Sequence, residues 1–337
     1  MSSQIRYHLS TDEQYSWLDV PKAMTREAWS RALVEIARER PDIVVLSADL
    51  MKATRADIFA EAFPDRAFNV GVAEQDMMGI AAGMALCGKM PFVASFSVFA
   101  LFRACEQVRT DICYPALNVK IIGIAGGFSF GMGGVTHATT EDISVARIWP
   151  NMVVLVPADA MEAKKAIHAA VQHAGPVFLR IGRAAEPLVY RSDYEFRIGS
   201  AVEMRQGRDL TLIACGPMVF ESLRAADKLS TSGIQARVLN MHTVKPLDHV
   251  SILKAARETR AILSVEENTI VGGLGSAVAE VLAEAGVCIP FTRIGLRDAF
   301  AVEGHPDQLR PLYGLDGPAI ATAARDLLCR RPLGEGH

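Results

Sequence analysis

The chain has 337 residues, half of them hydrophobic and 22% charged, with a formal net charge of −3. That length favours two domains, and the balance is that of an ordinary globular protein with apolar residues enough for two cores. The charges are mixed without a basic stripe, which argues against nucleic acid as a partner; the polar N-terminus MSSQIRYHLSTDEQYSW and the lack of any apolar run of 18 argue against a leader or a membrane span.

Taken in chain order, IVVLSAD (43–49), PFVASF (91–96), VKIIGIA (119–125), MVVLVP (152–157) and PVFLRI (176–181) are short apolar runs. Helical stretches at 74–87, 98–113 and 159–174 alternate with them. Buried strands alternating with helices predict an α/β fold with a mainly parallel sheet covered on both faces. At 184–208 the pattern breaks into a polar stretch with Pro and Gly, which reads as a linker with one edge strand. A second series starts with LTLIACG (210–216), QARVLNM (235–241) and AILSVEE (261–267), so a second α/β domain begins near 190–200. The six cysteines form no C-x-x-C pair, lie mostly in apolar or helical surroundings, and are expected as buried free thiols in a reducing cytoplasm.

Three segments carry candidate chemistry. In FNVGVAEQDMMGIAAGMALCG (68–88) a strand runs into a helix apolar on nearly every face, which predicts burial all round. Gly79 and Gly83 share one face and permit close approach of another backbone. Glu74 opens this helix; it reads either as an acid stabilising its own helix terminus or as a buried carboxylate with a catalytic task. In SFSVFALF (95–102), Phe96, Phe99 and Phe102 fall three apart, an aromatic stripe for core packing or for a flat heteroaromatic ligand. GGFSFGMGGVTHATTEDI (126–143) packs five glycines into 126–134, a loop needing unusual backbone angles or close approach of a ligand, and His137 follows it. Further on, VEENTIVGGLGSAVAEVL (265–282) reads as a strand, an acidic turn and a glycine-started helix; Glu266 and Glu267 favour a structural turn over a phosphate site. No H-E-x-x-H, G-x-S-x-G or G-x-x-x-x-G-K-[ST] occurs, which removes zinc-hydrolase, α/β-hydrolase and P-loop readings.

In order and spacing, SADL (47–50), GVAEQ, SFSVFALF, GVTH, WPNMVVLVPAD (149–159) and LRIGR (179–183) resemble the pyrimidine-binding domain of the transketolase family. NMHTVKPLD (240–248), VEENTIVGGLGSAVAE and GHPDQLRPLYGLD (304–316) resemble its C-terminal domain. The resemblance implies a pyrimidine-binding domain at 22–190 and a transketolase C-terminal domain at 200–330. It further implies a thiamine-diphosphate-dependent transferase that moves a two-carbon ketol unit from a ketose, expected to be phosphorylated, to an aldose. Glu74 would hydrogen-bond the aminopyrimidine ring of thiamine diphosphate and activate the cofactor. Phe96, Phe99 and Phe102 would surround that ring, and Asp49 would lie near the thiazolium. His137 would contact the donor at its reacting carbonyl, and Arg26 and Arg183 would hold the substrate phosphate.

Three positions depart from the family pattern. Gly133 replaces an acid expected before T-H, and Ala53 and Ala125 replace a Ser and a His of the phosphate site. An unusual phosphorylated sugar, or one with a different anionic end, is therefore expected. The G-D-G…N segment, which in the family holds the diphosphate through a divalent metal, has no counterpart here. This implies a separate N-terminal subunit bringing that site and Mg²⁺, no metal ligands in this chain, and a heterotetramer. The competing readings are the β subunit of a 2-oxo-acid dehydrogenase E1 component and a non-catalytic scaffold subunit.

Overall fold

The computed structural model describes residues 20–190 and 193–329; the polar N-terminus read above lies outside them. Fourteen strands are present among the described residues: β1 (Lys22–Met24), β2 (Ile43–Ser47), β3 (Ala67–Asn69), β4 (Met90–Phe96), β5 (Lys120–Ile124), β6 (Val153–Leu155), β7 (Val177–Ile181), β8 (Ala185–Pro187), β9 (Val202–Arg205), β10 (Leu210–Ala214), β11 (Ala236–Asn240), β12 (Thr243–Lys245), β13 (Ile262–Thr269) and β14 (Phe291–Leu296).

They form a seven-stranded sheet in the order β12-β6-β7-β5-β4-β2-β3 and a five-stranded sheet in the order β14-β13-β10-β11-β9. Each is parallel except at one edge, where β12 runs antiparallel to β6 and β9 antiparallel to β11. The mainly parallel α/β architecture matches the expectation, because strands such as β2, β4, β5 and β7 are buried along their whole length and are mostly apolar. The linker stretch does contribute strands: β8 pairs antiparallel with β1, and β9 is the edge strand of the second sheet.

Alternation along the chain does not reveal β12. It follows β11 of the second sheet but crosses back to the edge of the first. One hydrophobic cluster accordingly runs through both halves, joining Val154 and Val156 to Ile213, Leu239 and Met241. Among the described residues no helix is long and apolar enough to cross a membrane. All six cysteines are free, as expected, but only Cys113 and Cys215 are buried; Cys87, Cys105, Cys288 and Cys329 are exposed, because helical surroundings alone do not place a residue on the inner face.

Candidate active site

The predicted site residues lie just past the carboxyl ends of neighbouring parallel strands, where open α/β sheets bind ligands. Asp49 follows β2, Glu74 follows β3, Phe96 ends β4, His137 lies in the segment after β5, and Arg183 follows β7. Arg26 sits in the first turn of helix Thr25–Ala37, whose Thr25 hydroxyl donates to Gly182 O at 3.0 Å, so it is pinned beside Arg183.

Glu74 opens helix Glu74–Leu86, which lacks a side-chain cap, so a carboxylate in the first turn complements the helix dipole. The carboxylate is only 1% exposed and accepts from Arg103 Nη1 at 2.8 Å. Arg103 is 47% exposed, and its guanidinium lies 4.4 Å from the Phe99 ring centre. Sequence reasoning missed Arg103, although it lies four residues after Phe99 and so on the same side of a helix. The helix itself is not buried all round as expected. Gln75, Asp76, Ile80, Gly83 and Leu86 are exposed, and a Cβ on Gly79 or Gly83 would meet nothing within 4 Å. Its apolar composition provides a second face that this chain leaves open.

The aromatic stripe is broken by geometry. Phe96 still belongs to β4, whereas Phe99–Arg103 winds as π-helical turns, so the three rings do not share one face. Phe96 and Phe99 pack with centres 5.9 Å apart. Phe102 is 37% exposed and turns to a shallow recess with Val98, Val135 and Phe300. Phe130, which the motif did not single out, completes the wall. Phe96, Phe99 and Phe130 all meet the His137 imidazole edge-on at 5.5–5.8 Å. The Thr136 hydroxyl donates to Gly133 O at 3.1 Å and lies 2.8 Å from His137 Nδ1. The Arg183 guanidinium lies 3.7 Å from the centre of the Phe130 ring and 5.7 Å from that of Phe96.

Asp49 stands apart, exposed at the tip of β2 with φ +62°. Asn69 holds it, donating to Asp49 Oδ1 at 3.2 Å and accepting from the Asp49 backbone N–H at 2.9 Å. Its side chain can therefore face a ligand without losing its support.

Close protein packing accounts for the glycines of 126–134. A side chain at Gly126 would collide with Arg180, at Gly127 (φ +63°) with Glu267, and at Gly133 with His137 Cβ at 2.8 Å and the Phe130 ring at 3.0 Å. The expected acid at 133 is thus absent for a steric reason: Phe130 and His137 fill its place. The loop is braced from the second half of the chain. Glu267 accepts from Phe128 N–H at 2.9 Å and from Arg310 at 2.8 Å, and Arg310 also reaches Glu186 at 2.9 Å. Buried Arg180 pairs with Asp142 at 2.9 Å and donates to the carbonyls of Thr139 and Glu267. Asp142 in turn accepts from Ser97 at 2.7 Å.

Glu266 and Glu267 lie in β13 itself, not in a turn. Glu266 accepts the Leu274 and Gly275 N–H groups at 2.8 Å each, so the protein's own carboxylate fills the helix N-terminus where a phosphate was conceivable. Among the described residues no group of three or more His, Cys, Asp or Glu converges as metal ligands would.

Arg103 thus links the buried Glu74 carboxylate to the Phe99 ring, and Phe96, Phe99 and Phe130 surround the His137 imidazole.

Comparison with known proteins agrees with this geometry. The chain matches the transketolase pyrimidine-binding domain over residues 21–187 and the transketolase C-terminal domain over 199–320. It is 42% identical to a putative transketolase C-terminal section of Methanocaldococcus jannaschii, over 88% of this chain and 93% of that protein. It is 40% identical to a 6-deoxy-6-sulfo-D-fructose transketolase subunit of a Clostridium species, over 91% and 95%. A solved structure described as a split gene transketolase, inactive beta4 tetramer, superposes with a TM-score of 0.83 at 43% identity, over 91% of this chain and 99% of that one.

Proposed function

The chain belongs to the transketolase family, and we propose on that premise that it is the pyrimidine-side subunit of a split, thiamine-diphosphate-dependent transketolase. It would transfer a two-carbon ketol unit from a ketose with an anionic end to an aldose, in a heterotetramer with a second kind of chain. The diphosphate and Mg²⁺ are assigned to that partner, the subunit carrying G-D-G…N. The observation that carries the reading is Glu74: a carboxylate 1% exposed at a helix start, beside a wall of Phe99 and Phe96 with His137 against it.

When bound, thiamine diphosphate supplies a nucleophilic thiazolium carbon and an electron sink for the ketol unit. Glu74 would hold a proton at the ring nitrogen of the aminopyrimidine, with Arg103 fixing the carboxylate. Phe99 and Phe96 would exclude water and set the plane of the ring. His137 would move a proton at the donor hydroxyl next to the reacting carbonyl. Asp49 would balance positive charge at the thiazolium end, and Phe102 would line the outer mouth. Arg26 and Arg183 would bind the anionic terminus of the sugar. The likeness over 99% of a chain described as an inactive beta4 tetramer supports the need for a second subunit.

The test is a ketol-transfer assay of the two-chain complex with a panel of ketose and aldose phosphates. Wild type should transfer, and Glu74→Gln should lose about 10²–10⁴-fold in kcat, the usual range for a proton-transfer group. Undiminished Glu74→Gln would establish the scaffold reading instead. Transfer of an acyl group to a lipoyl acceptor alone would establish the dehydrogenase reading.

A further inference from the structure

A chain of buried charges runs from beneath the Phe wall to a cavity between the two halves of the chain. Ser97, next to Phe96, donates to Asp142, which pairs with Arg180, and Arg180 donates to the Glu267 carbonyl. The Glu267 carboxylate accepts from Arg310, which pairs at 2.9 Å with Glu186. Asp142, Glu267 and Glu186 thus stand against Arg180 and Arg310, three carboxylates to two guanidinium groups, and none of the five is more than 6% exposed. Glu186 ends the chain and is the least compensated. Arg310 takes its Oε1, and among the described residues nothing donates to its Oε2. Burial holds Glu186 above the ordinary carboxylate range; Arg310 lowers it, and Glu267 pushes it up again.

Glu186 lines a cavity of about 550 Å³, bounded by β1 and β8 on one side and by helices Met218–Ser230 and Pro306–Leu312 on the other. Glu74, His137, Arg26 and Arg183 take no part in its walls. On those walls Glu221 and Arg224 pair with each other at 3.0 Å, and Arg310 is engaged by Glu186 and Glu267. Asp307, Asp316 and the surplus charge of Glu186 remain, against exposed Lys22 and, when it is protonated, His305. The cavity is therefore short of positive charge. Among the described residues no three His, Cys, Asp or Glu converge as metal ligands would, so its walls suit an organic cation better than a metal ion.

We propose that this cavity is an effector site for a small molecule bearing a primary ammonium group, seated on Glu186. An ammonium carries three donors on one compact charged atom, and it would give Glu186 Oε2 a charge-assisted partner and complete the alternation of charge along the buried chain. Two contacts carry its effect to the candidate active site. Glu267 Oε2 accepts Phe128 N–H at 2.9 Å. Helix Pro306–Leu312, whose first turn walls the cavity, sets Leu309 against Gly131, where a Cβ would meet it at 2.5 Å, and Gly304 N–H donates to Gly131 O at 3.3 Å. Both contacts hold the loop that leads into His137, so filling the cavity steadies that loop. The action on ketol transfer rests on the transketolase reading; the binding does not.

Isothermal titration of the full chain tests the binding, with glycine, putrescine and, as the counterpart lacking an ammonium, glycolate. At least one amine should bind and glycolate should not; glycine alone marks an amino acid as the effector, putrescine alone a polyamine, and both a bare ammonium. Glu186→Gln keeps an oxygen for Arg310 but removes the surplus charge, so it should weaken binding about tenfold or more. Lys22→Gln, a change at an exposed residue, removes a competing cation and should tighten it. In the two-chain complex, the bound amine should raise kcat for ketol transfer with KM for the donor nearly constant, and Glu186→Gln should abolish that response. No amine binding, glycolate bound as tightly as the amines, equal affinity in wild type and Glu186→Gln, or weaker binding by Lys22→Gln would overturn the site. An amine bound with kcat unchanged would overturn its action on the loop. Amine binding through Glu186 in a complex that transfers no ketol unit at all would sink the transketolase reading and leave the site standing.

Discussion

Arg103 carries the sharpest residue-level consequence. Glu74 is buried, and Arg103 is its hydrogen-bonded cation. Removing that partner leaves a buried carboxylate uncompensated, which costs more than the bond itself returns. Arg103→Ala should therefore weaken thiamine diphosphate binding by the complex about tenfold or more, read by titration; unchanged or tighter binding would contradict the positioning role. Gly133→Asp tests the steric account of the missing acid. Its Cβ would press on His137 and Phe130, so the variant should lose roughly 1–3 kcal/mol of stability and much of its kcat without gaining selectivity for any donor hydroxyl. A stable, fully active variant would show that the loop gives way easily. Glu74 and His137 could be singled out as candidates in the sequence because their neighbours form an ordered motif. The contacts of Arg103 with Glu74, Phe130 with Arg183 and Asn69 with Asp49 could not, because they join segments distant in the chain, which spacing alone does not encode.

At the scale of elements, the buried strands β2, β4, β5, β6, β7, β10, β11 and β13 could be read from apolar runs, whereas β1, β12, β14 and helices such as Thr25–Ala37 and Gly317–Cys329 were not singled out; the candidate site's position at the carboxyl ends of β2–β5 and β7 follows from their parallel pairing. The Phe stripe failed as a stripe because the chain passes from strand to π-helical turns inside it. The glycine loop misled differently: its glycines admit Arg180, Glu267 and His137, and nothing local to 126–134 names those partners. Arg310 is the brace most exposed to test. It is buried between Glu267 and Glu186, both of which it bonds. Arg310→Met should destabilise the fold by about 3–5 kcal/mol, since two buried carboxylates lose their cation, and chemical denaturation measures it. Glu266 supplies a pH dependence. Burial raises it from an ordinary 4.5 to about 7. The folded state then keeps a proton that the unfolded chain releases between those values, so stability falls as pH rises through that window. The Tm of Glu266→Gln should fall less than that of wild type between pH 4.5 and 7; parallel profiles would contradict the assignment.

For the whole molecule, the two sheets are tied by a shared core, by β12 crossing to the first sheet and by the Glu267–Arg310–Glu186 and Arg180–Asp142 braces. The second half thus acts on the site by holding the loop that carries His137. What the chain leaves open matters as much. Met132, Val135, Phe102, Phe300 and Val302 are exposed, three of them lining or flanking the outer recess, and the Gly79–Gly83 face of the Glu74 helix is uncovered. These surfaces suit burial against further chains. The most direct measurement is ketol transfer, with Mg²⁺ and thiamine diphosphate supplied, by this chain alone and in mixtures with the chain carrying G-D-G…N. The account predicts no transfer by the chain alone and activity that rises on mixing until the two are equimolar. Full transfer by this chain alone would contradict it.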